Sequence, residues 1–388
     1  MGDEKKISKR ALVRKAKLSA DKIVLDLTKE YGLVLEGGGA KGAFQIGAWK
    51  ALREAGIKIK GVSGVSVGAL NGALICMDAM EKAEEIWETI SYSTVMAVND
   101  DLMGTIKKVV QDKGLDISPL KKLIRETIDE DVIRQSPCEL YATTYSISDK
   151  KLLNRDVKTL PEGEIEDILL ASSYLPVFKA EKLGGKFYTD GGGFNNVPLD
   201  VLVDKGYKNI IVLRIYGIGL DREKKVKIPE DTHVYHIAPQ EELGGILEFD
   251  KKRSRKNLAL GYLEGQRLLY NLKGRRYYIY APYTEPYYFD KMMSELELLK
   301  FYLKSEMGEE ELKLLSGYRF YTEQVFPALA REKKLKEDWD YRDMYLLILE
   351  ELALKFKIFR YRVYTAGELA REIHKALLKS ENKLLTIE

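Results

Sequence analysis

Cysteine and histidine are scarce in this chain, and their scarcity removes several chemistries at once. Its 388 residues include two cysteines, Cys76 and Cys138, and three histidines, His233, His236 and His374. Neither cysteine has a second Cys or a His at metal-ligand spacing, so no zinc site is expected. Two thiols in a chain of this length give no disulfide framework and point to a reducing compartment. Long apolar runs are missing as well. No stretch of about 18 apolar residues occurs, so no membrane-spanning helix is expected. Charge of one sign does not dominate. The formal net charge is +3, so attraction to nucleic acid or to anionic lipid has to come from local patches. The residues up to Lys22 carry charge throughout and lack the apolar stretch of a secretory leader. Lys6 stands where a myristoylation signal places Ser or Thr. The expectation is a cytoplasmic protein with no metal and no cofactor.

What is present is a globular composition, 45% hydrophobic and 32% charged. Up to Lys22 there are eight Lys or Arg against three acidic residues. Leu12, Val13, Leu18, Ile23, Val24 and Leu27 recur at roughly helical spacing. Residues 1–30 therefore read as a basic amphipathic helix, either packed on the domain with a solvated face or touching a lipid surface or partner. From Tyr31 onward, short apolar runs alternate with helical patterns. Tyr31–Glu36 and Ile57–Val62 read as strands, and Ala43–Ala55 as a helix stopped by Gly56. A small-residue helix follows Gly68, and Ile165–Ser173 reads as a further helix. More strands are expected at Cys138–Tyr145, Asn209–Ile215, His233–Ile237 and Arg276–Tyr280. Such alternation implies a mainly parallel sheet covered on both faces. Beyond about Tyr283 glycine becomes scarce. Helical patterns run over Phe289–Lys304, Glu309–Phe326, Tyr341–Phe359 and Ala366–Lys379, so residues 283–388 are expected to be an all-helical region. Residues 31–282 are then the catalytic domain.

Three clusters carry chemistry. Gly64-Val65-Ser66-Val67-Gly68 lies between an apolar strand and a small-residue helix. A Gly-x-Ser-x-Gly sequence suits a sharp elbow that puts Ser66 at its tip, where only small neighbours fit. The hydroxyl then meets the positive end of the following helix, which favours a developing alkoxide. Gly37-Gly38-Gly39-Ala40-Lys41-Gly42 sits at the earlier strand-to-helix junction. Glycines there can bring backbone amides to a substrate, and an amide aimed at an oxyanion stabilises it by about 3 kcal/mol. Lys41 either braces that loop or is solvated. The third cluster, Thr189-Asp190-Gly191-Gly192-Gly193, reads as a turn that follows an apolar hairpin-like run, Leu183–Tyr188.

A serine nucleophile needs a base. The three histidines follow Asp190, so chain order alone permits a Ser-Asp-His triad. The spacing argues otherwise. Only about 35 residues separate the first strand from Ser66, which leaves room for one strand and one helix. An α/β-hydrolase places more strands before its elbow. His233 and His236 lie on an alternating run that reads as a structural strand, and His374 sits in a helical stretch. Asp190 is the better candidate: a partly desolvated carboxylate hydrogen-bonded to the hydroxyl can take its proton.

The glycine run, Gly64–Gly68 and Asp190-Gly191-Gly192 together resemble the patatin-like phospholipase family. Ala171–Pro176, Asn196-Val197-Pro198, Ile237-Ala238-Pro239, Leu243-Gly244 and Gly261-Tyr262 are similar to it as well. The resemblance spans about residues 31–270. It implies a three-layer patatin-like α/β fold with a mainly parallel central sheet. It further implies a Ser66–Asp190 dyad without histidine, an oxyanion hole from Gly37, Gly38 and Gly39, and supporting roles for Lys41, Gly64, Gly68, Gly191 and Gly192. The implied activity is hydrolysis of fatty acyl esters of phospholipids, lysophospholipids or acylglycerols. An acyltransferase using the same dyad, or a non-catalytic lipid-binding protein of the same fold, is the alternative. One departure is that Glu36 and Lys41 stand where the family often has Asp and Arg, and Lys lacks the bidentate fork of Arg.

Gly37-x-Gly39-x-x-Gly42 also fits a dinucleotide-binding fingerprint, but the second strand ends in Val62-Ser63-Gly64 without the acid that a ribose requires. The partners expected are a lipid substrate and, through the basic N-terminus, a membrane surface. No nucleic acid is expected.

Overall fold

The computed structural model describes residues 18–97, 114–216, 226–307 and 318–385. They divide into two compact units, Met1–Leu269 and Tyr270–Glu388.

The first unit is built on one sheet. Its strands are β1 (Glu30–Leu35), β2 (Lys58–Val65), β3 (Glu139–Ser146), β4 (Lys151–Asp156), β5 (Tyr188–Asp190), β6 (Asn209–Leu213) and β7 (His233–Ile237). The order is β4-β3-β2-β1-β6-β7, with β5 pairing β3. The pairs β1·β2, β1·β6, β2·β3 and β6·β7 are parallel, whereas β4 and β5 run antiparallel to β3. The sheet is thus mainly parallel, as the alternation of apolar runs and helices implies.

Helices cover both faces. Those used below are α1 (Ala43–Glu54), α2 (Val67–Cys76), α3 (Met80–Thr89), α4 (Tyr92–Val95), α5 (Ser118–Thr127), α6 (Glu130–Gln135), α7 (Ile165–Ser172), α8 (Leu199–Asp204) and α9 (Lys251–Tyr270). Successive side chains of a strand point to opposite faces, and each face here meets a helix. Leu35, Val62 and Leu140 lie toward Gly72 of α2. Val34, Tyr141, Ile210 and Val212 pack with Leu199, Val201 and Leu202 of α8. This double burial explains why β1 reads as an unbroken apolar run rather than an alternating one. α1 and α9 cross at glycines: a Cβ on Gly47 would sit 1.9 Å from the Leu258 carbonyl oxygen, and one on Gly261 1.9 Å from that of Phe44. The helices approach backbone to backbone, which accounts for glycine in the interior of both.

The second unit has its own core, from Tyr277 to Leu377. It contains α10 (Glu285–Ser294), α11 (Leu296–Met307), α12 (Phe326–Glu332) preceded by a π-helical turn at Tyr321–Val325, α13 (Tyr341–Lys355) and α14 (Ala366–Leu385). The all-helical expectation needs correction. Val363–Thr365 forms a strand, β9, that pairs in parallel with β8 (Tyr278–Tyr280). The strand anticipated at Arg276–Tyr280 is therefore β8, and it belongs to this second unit.

The N-terminal helix also needs correction. Its first part, to Lys17, lies outside the described residues. Beyond it only Ala20–Lys22 forms a short 3-10 turn, and β1 begins at Glu30. Hydrogen bonds within the segment and to a distant stretch of chain hold the intervening residues out of a helix. Asp26 accepts from the Thr28 N–H and hydroxyl at 2.9 and 2.6 Å, and the Val24 N–H donates to the Leu269 carbonyl at 2.8 Å. Among the described residues no helix is long and apolar enough to cross a membrane.

Candidate active site

β2 leads directly into α2 through Ser66, whose φ of 56° and ψ of −130° are strained for a residue with a Cβ. Gly64 and Gly68 make the turn possible. A Cβ on Gly64 would lie 2.4 Å from the backbone carbon of Gly68, and one on Gly68 2.4 Å from the Leu35 carbonyl oxygen. The elbow is clamped from below as well. The Ser66 N–H donates to the Ser172 hydroxyl at 2.9 Å, and that hydroxyl donates to the Thr143 carbonyl at 2.7 Å.

Strand β3 is the rail that brings the two distant clusters together. Val65, the last residue of β2, pairs with Thr143, and Asp190, the last of β5, pairs with Thr144. Neighbouring positions on one strand thus hold the residue before the candidate nucleophile and the candidate base. The Ser66 side chain lies close enough to the Asp190 carboxylate to favour its ionised form. The Gly192 N–H donates to Asp190 Oδ1 at 2.7 Å. Ser66 and Asp190 are 7% and 8% exposed. Burial pushes the Asp190 carboxyl up to about 6, against the opposing pull of the Ser66 side chain and the Gly192 hydrogen bond. Gly191 and Gly192 fit tightly: Cβ atoms there would meet the Thr143 carbonyl oxygen at 2.7 Å and Asn196 Oδ1 at 2.7 Å.

The glycine loop after β1 lies beside this pair. Gly39 borders the same cavity as Ser66 and has a φ of 54°, and a Cβ there would sit 2.2 Å from the Ile246 carbonyl oxygen. Gly37 requires a correction. Its N–H donates to the Asn196 carbonyl at 3.2 Å, so it is already engaged and does not supply an oxyanion donor. Gly38 and Gly39 remain as candidates. Val67 joins them: as the first residue of α2 it carries one of the helix's uncommitted first-turn N–H groups, and it borders the cavity.

Several residues brace the loop, and Gln45, Asn71 and Arg214 among them carry no motif in the sequence. Glu36 is buried and accepts from Asn196 Nδ2 at 3.2 Å, Arg214 Nε at 3.3 Å and the Tyr216 N–H at 2.8 Å. Lys41 Nζ donates to the Tyr216 carbonyl, so Lys41 is a brace in this structure. Gln45 donates to the Glu36 carbonyl at 2.7 Å, while Asn71 on α2 donates to Gln45 Oε1 at 2.9 Å and to the Gly42 carbonyl at 3.0 Å. A polar chain therefore runs from α2 to the loop through buried side chains. Asn71 in a run of small apolar residues is the sequence signal that could have revealed it.

The two β7 histidines take no part in this arrangement. His233 and His236 lie on β7 at the sheet edge, with β6 and β1 between them and β2. His374 is on α14, in the second unit. Among the described residues no group of His, Cys, Asp and Glu could hold a metal ion.

From Ser66 the cavity runs between α2, α3 and α5. Its walls are almost entirely hydrocarbon, including Leu70, Leu74, Ile86, Trp87, Leu120, Ile124, Phe178 and Phe249. Such a channel accepts an alkyl chain and offers little to a polar solute.

Replacing Ser172 with alanine leaves the buried Ser66 N–H without its acceptor and the Thr143 carbonyl without its donor. We expect a stability loss of roughly 2 kcal/mol in urea unfolding. We also expect kcat to fall about tenfold with KM little changed, because the elbow shifts relative to Asp190. Unchanged kcat would show that the clamp does not position the serine.

The family model described as Patatin-like phospholipase matches residues 33–203. "Neuropathy target esterase sws" of Drosophila melanogaster is 31% identical over 196 residues, which is 47% of this chain and 13% of that protein. Its Drosophila sechellia counterpart is 64% identical over 47 residues, or 12% of this chain and 3% of that protein. The chain thus spans a small fraction of the length of these relatives. Among solved structures, VipD from Legionella pneumophila aligns with 98% of this chain and 92% of its own, at 15% identity and a TM-score of 0.39.

Proposed function

We propose, from the patatin-like phospholipase family to which residues 33–203 belong, that this chain is a serine acyl hydrolase. Its substrates are fatty acyl esters of phospholipids, lysophospholipids or acylglycerols, and its dyad is Ser66 with Asp190. The observation that carries the reading is a hydroxyl on a strained elbow, beside a buried carboxylate of raised proton affinity, at the wall of an apolar cavity.

In this mechanism the acyl chain lies in the cavity and presents its ester carbonyl to Ser66. Asp190 takes the hydroxyl proton as Oγ attacks the carbonyl carbon. The N–H groups of Gly38 and Gly39 stabilise the oxyanion, with that of Val67 behind them. The C–O bond to the alcohol breaks, and Asp190 returns the proton to the leaving oxygen. Water then gives a proton to Asp190 and attacks the acyl-serine. Ser66 leaves as the alcohol, reprotonated, and the fatty acid is released.

The chain is expected to be labelled on Ser66 by a fluorophosphonate and to release free fatty acid from a mixed lipid extract, as read by mass spectrometry. No labelling, together with a lipid profile identical to that of the Ser66→Ala variant, would rule the reading out. Adding a lysolipid acceptor to the same assay separates hydrolysis from acyl transfer.

A further inference from the structure

The two cysteines, which the catalytic reading leaves unused, meet in space. Cys76 is the last residue of α2, the helix that opens after Ser66, and Cys138 directly precedes β3. Both are free, and their sulfurs lie 3.2 Å apart. A disulfide bond is about 2.05 Å long, so a relative shift of about 1 Å would bring the sulfurs to bonding distance. The pair is 4% and 7% exposed. Both residues nevertheless border a cleft of about 490 Å³ whose walls include Arg53, Asp78, Gln135 and Ser136. A cleft of that size and polarity admits water and a small solute to the thiols.

We propose that Cys76 and Cys138 are a reversible dithiol–disulfide site that responds to hydroperoxides. The more exposed thiol, Cys138, reacts first. Its thiolate attacks one peroxide oxygen, the O–O bond breaks, and a sulfenic acid and one water (or alcohol) form. The Cys76 sulfur then attacks the sulfenic sulfur. The S–S bond forms, the S–O bond breaks, and the hydroxyl leaves as a second water with the Cys76 proton. Two thiols are oxidised by two electrons and one peroxide is reduced. A small oxidant suits the site, since both thiols are buried. Burial also pushes the Cys76 thiol well up, opposed only by Lys158, which lowers its thiolate fraction and makes the response slow.

The bond would tie the foot of the nucleophile helix to the start of β3, the strand that carries Thr143 and Thr144. It would close a loop of 62 residues, which removes a large conformational freedom from the unfolded chain. The cross-link lies at the opposite end of α2 from Ser66, about 15 Å along its axis. The expected result is therefore a stability latch that leaves the elbow itself in place.

The test uses the full native chain treated with hydrogen peroxide, quenched, denatured and alkylated with iodoacetamide. A peptide pair joined through Cys76 and Cys138 is expected, with neither cysteine alkylated, and dithiothreitol should restore both thiols. The melting temperature should rise on the order of 5 °C in the oxidised form and return on reduction. The Cys138→Ser variant should give no linked peptide and no rise. Alkylation of both cysteines after peroxide would overturn the proposal, and so would Cys138 passing to sulfinic acid with no linked peptide. None of these readouts depends on esterase activity, so a failure here is distinct from a failure of the hydrolase reading.

Discussion

The Ser66→Ala variant should lose at least about 10⁴-fold in kcat toward any acyl ester the wild type cleaves, with its fold retained. The loss follows from chemistry: without Oγ there is no acyl-enzyme, and what remains is positioning and whatever the loop amides do for direct water attack. Retention of the fold follows from the elbow. Alanine keeps the Cβ that Ser66 already holds at a φ of 56°, and the Ser66 N–H bond to Ser172 is a backbone bond that the substitution leaves intact. The melting temperature should thus stay near that of the wild type. Ser66→Gly should also be inactive yet melt higher, because glycine relieves a conformation that costs of order 1–3 kcal/mol for other residues. The pair of variants separates strain from chemistry. Activity in Ser66→Ala within tenfold of wild type would refute the nucleophile, and a lower melting temperature in Ser66→Gly would refute the strain.

The strained elbow was legible in the sequence because small residues at fixed offsets have few other reasons to occur between a strand and a helix. Asp190 was legible only as a turn residue in a suggestive setting. Its proximity to Ser66 rests on β3, where Thr143 and Thr144 receive β2 and β5 at adjacent positions. No pattern in one sequence encodes such a long-range register. The hydrogen-bonding of the glycine loop was hidden for a similar reason. A run of three glycines does not say which amide is free, and the Asn196 carbonyl that takes up Gly37 comes from a segment about 160 residues away.

Where strands depart from the sequence expectation, the causes are local. β2 runs three residues past the expected Val62 because parallel pairing with β3 carries it to the elbow. β4, Lys-Leu-Leu-Asn-Arg-Asp, leaves little sequence signal because an edge strand buries little: only Leu153 on it is buried. β9 has three residues, too few for a period to show. The N-terminal helix was over-extended for the opposite reason. Apolar spacing up to Leu27 looked helical, but Asp26 and Thr28 close a turn that serves the start of β1. His233–Ile237, read as structural from its alternation, is strand β7 with the same limits.

The Asp190→Asn variant should be inactive and, at neutral pH, more stable than the wild type. Burial pushes the Asp190 carboxyl up from 3.8 to about 6. The folded chain therefore holds that proton more tightly than the unfolded chain does. Where the unfolded state binds fewer protons, stability falls as pH rises. From below pH 4 to above pH 6 this one group should withdraw roughly 3 kcal/mol from the fold, the equivalent of its shift in proton affinity. Asparagine carries no such charge, and its Oδ1 can still accept from the Gly192 N–H. In urea titrations the difference between variant and wild type should be small at pH 4, widen between pH 4 and 6, and level off at roughly 3 kcal/mol by pH 7. Over the same window the wild-type kcat/KM should climb about tenfold per pH unit and flatten above pH 6, since Asp190 acts as a base only when ionised. The two curves would then share one titration: the ionisation that creates the base would be the one that costs stability, and a single residue would set activity and stability in opposition. If the stability difference proves independent of pH while the activity profile still turns near 6, the group that titrates in catalysis is not Asp190.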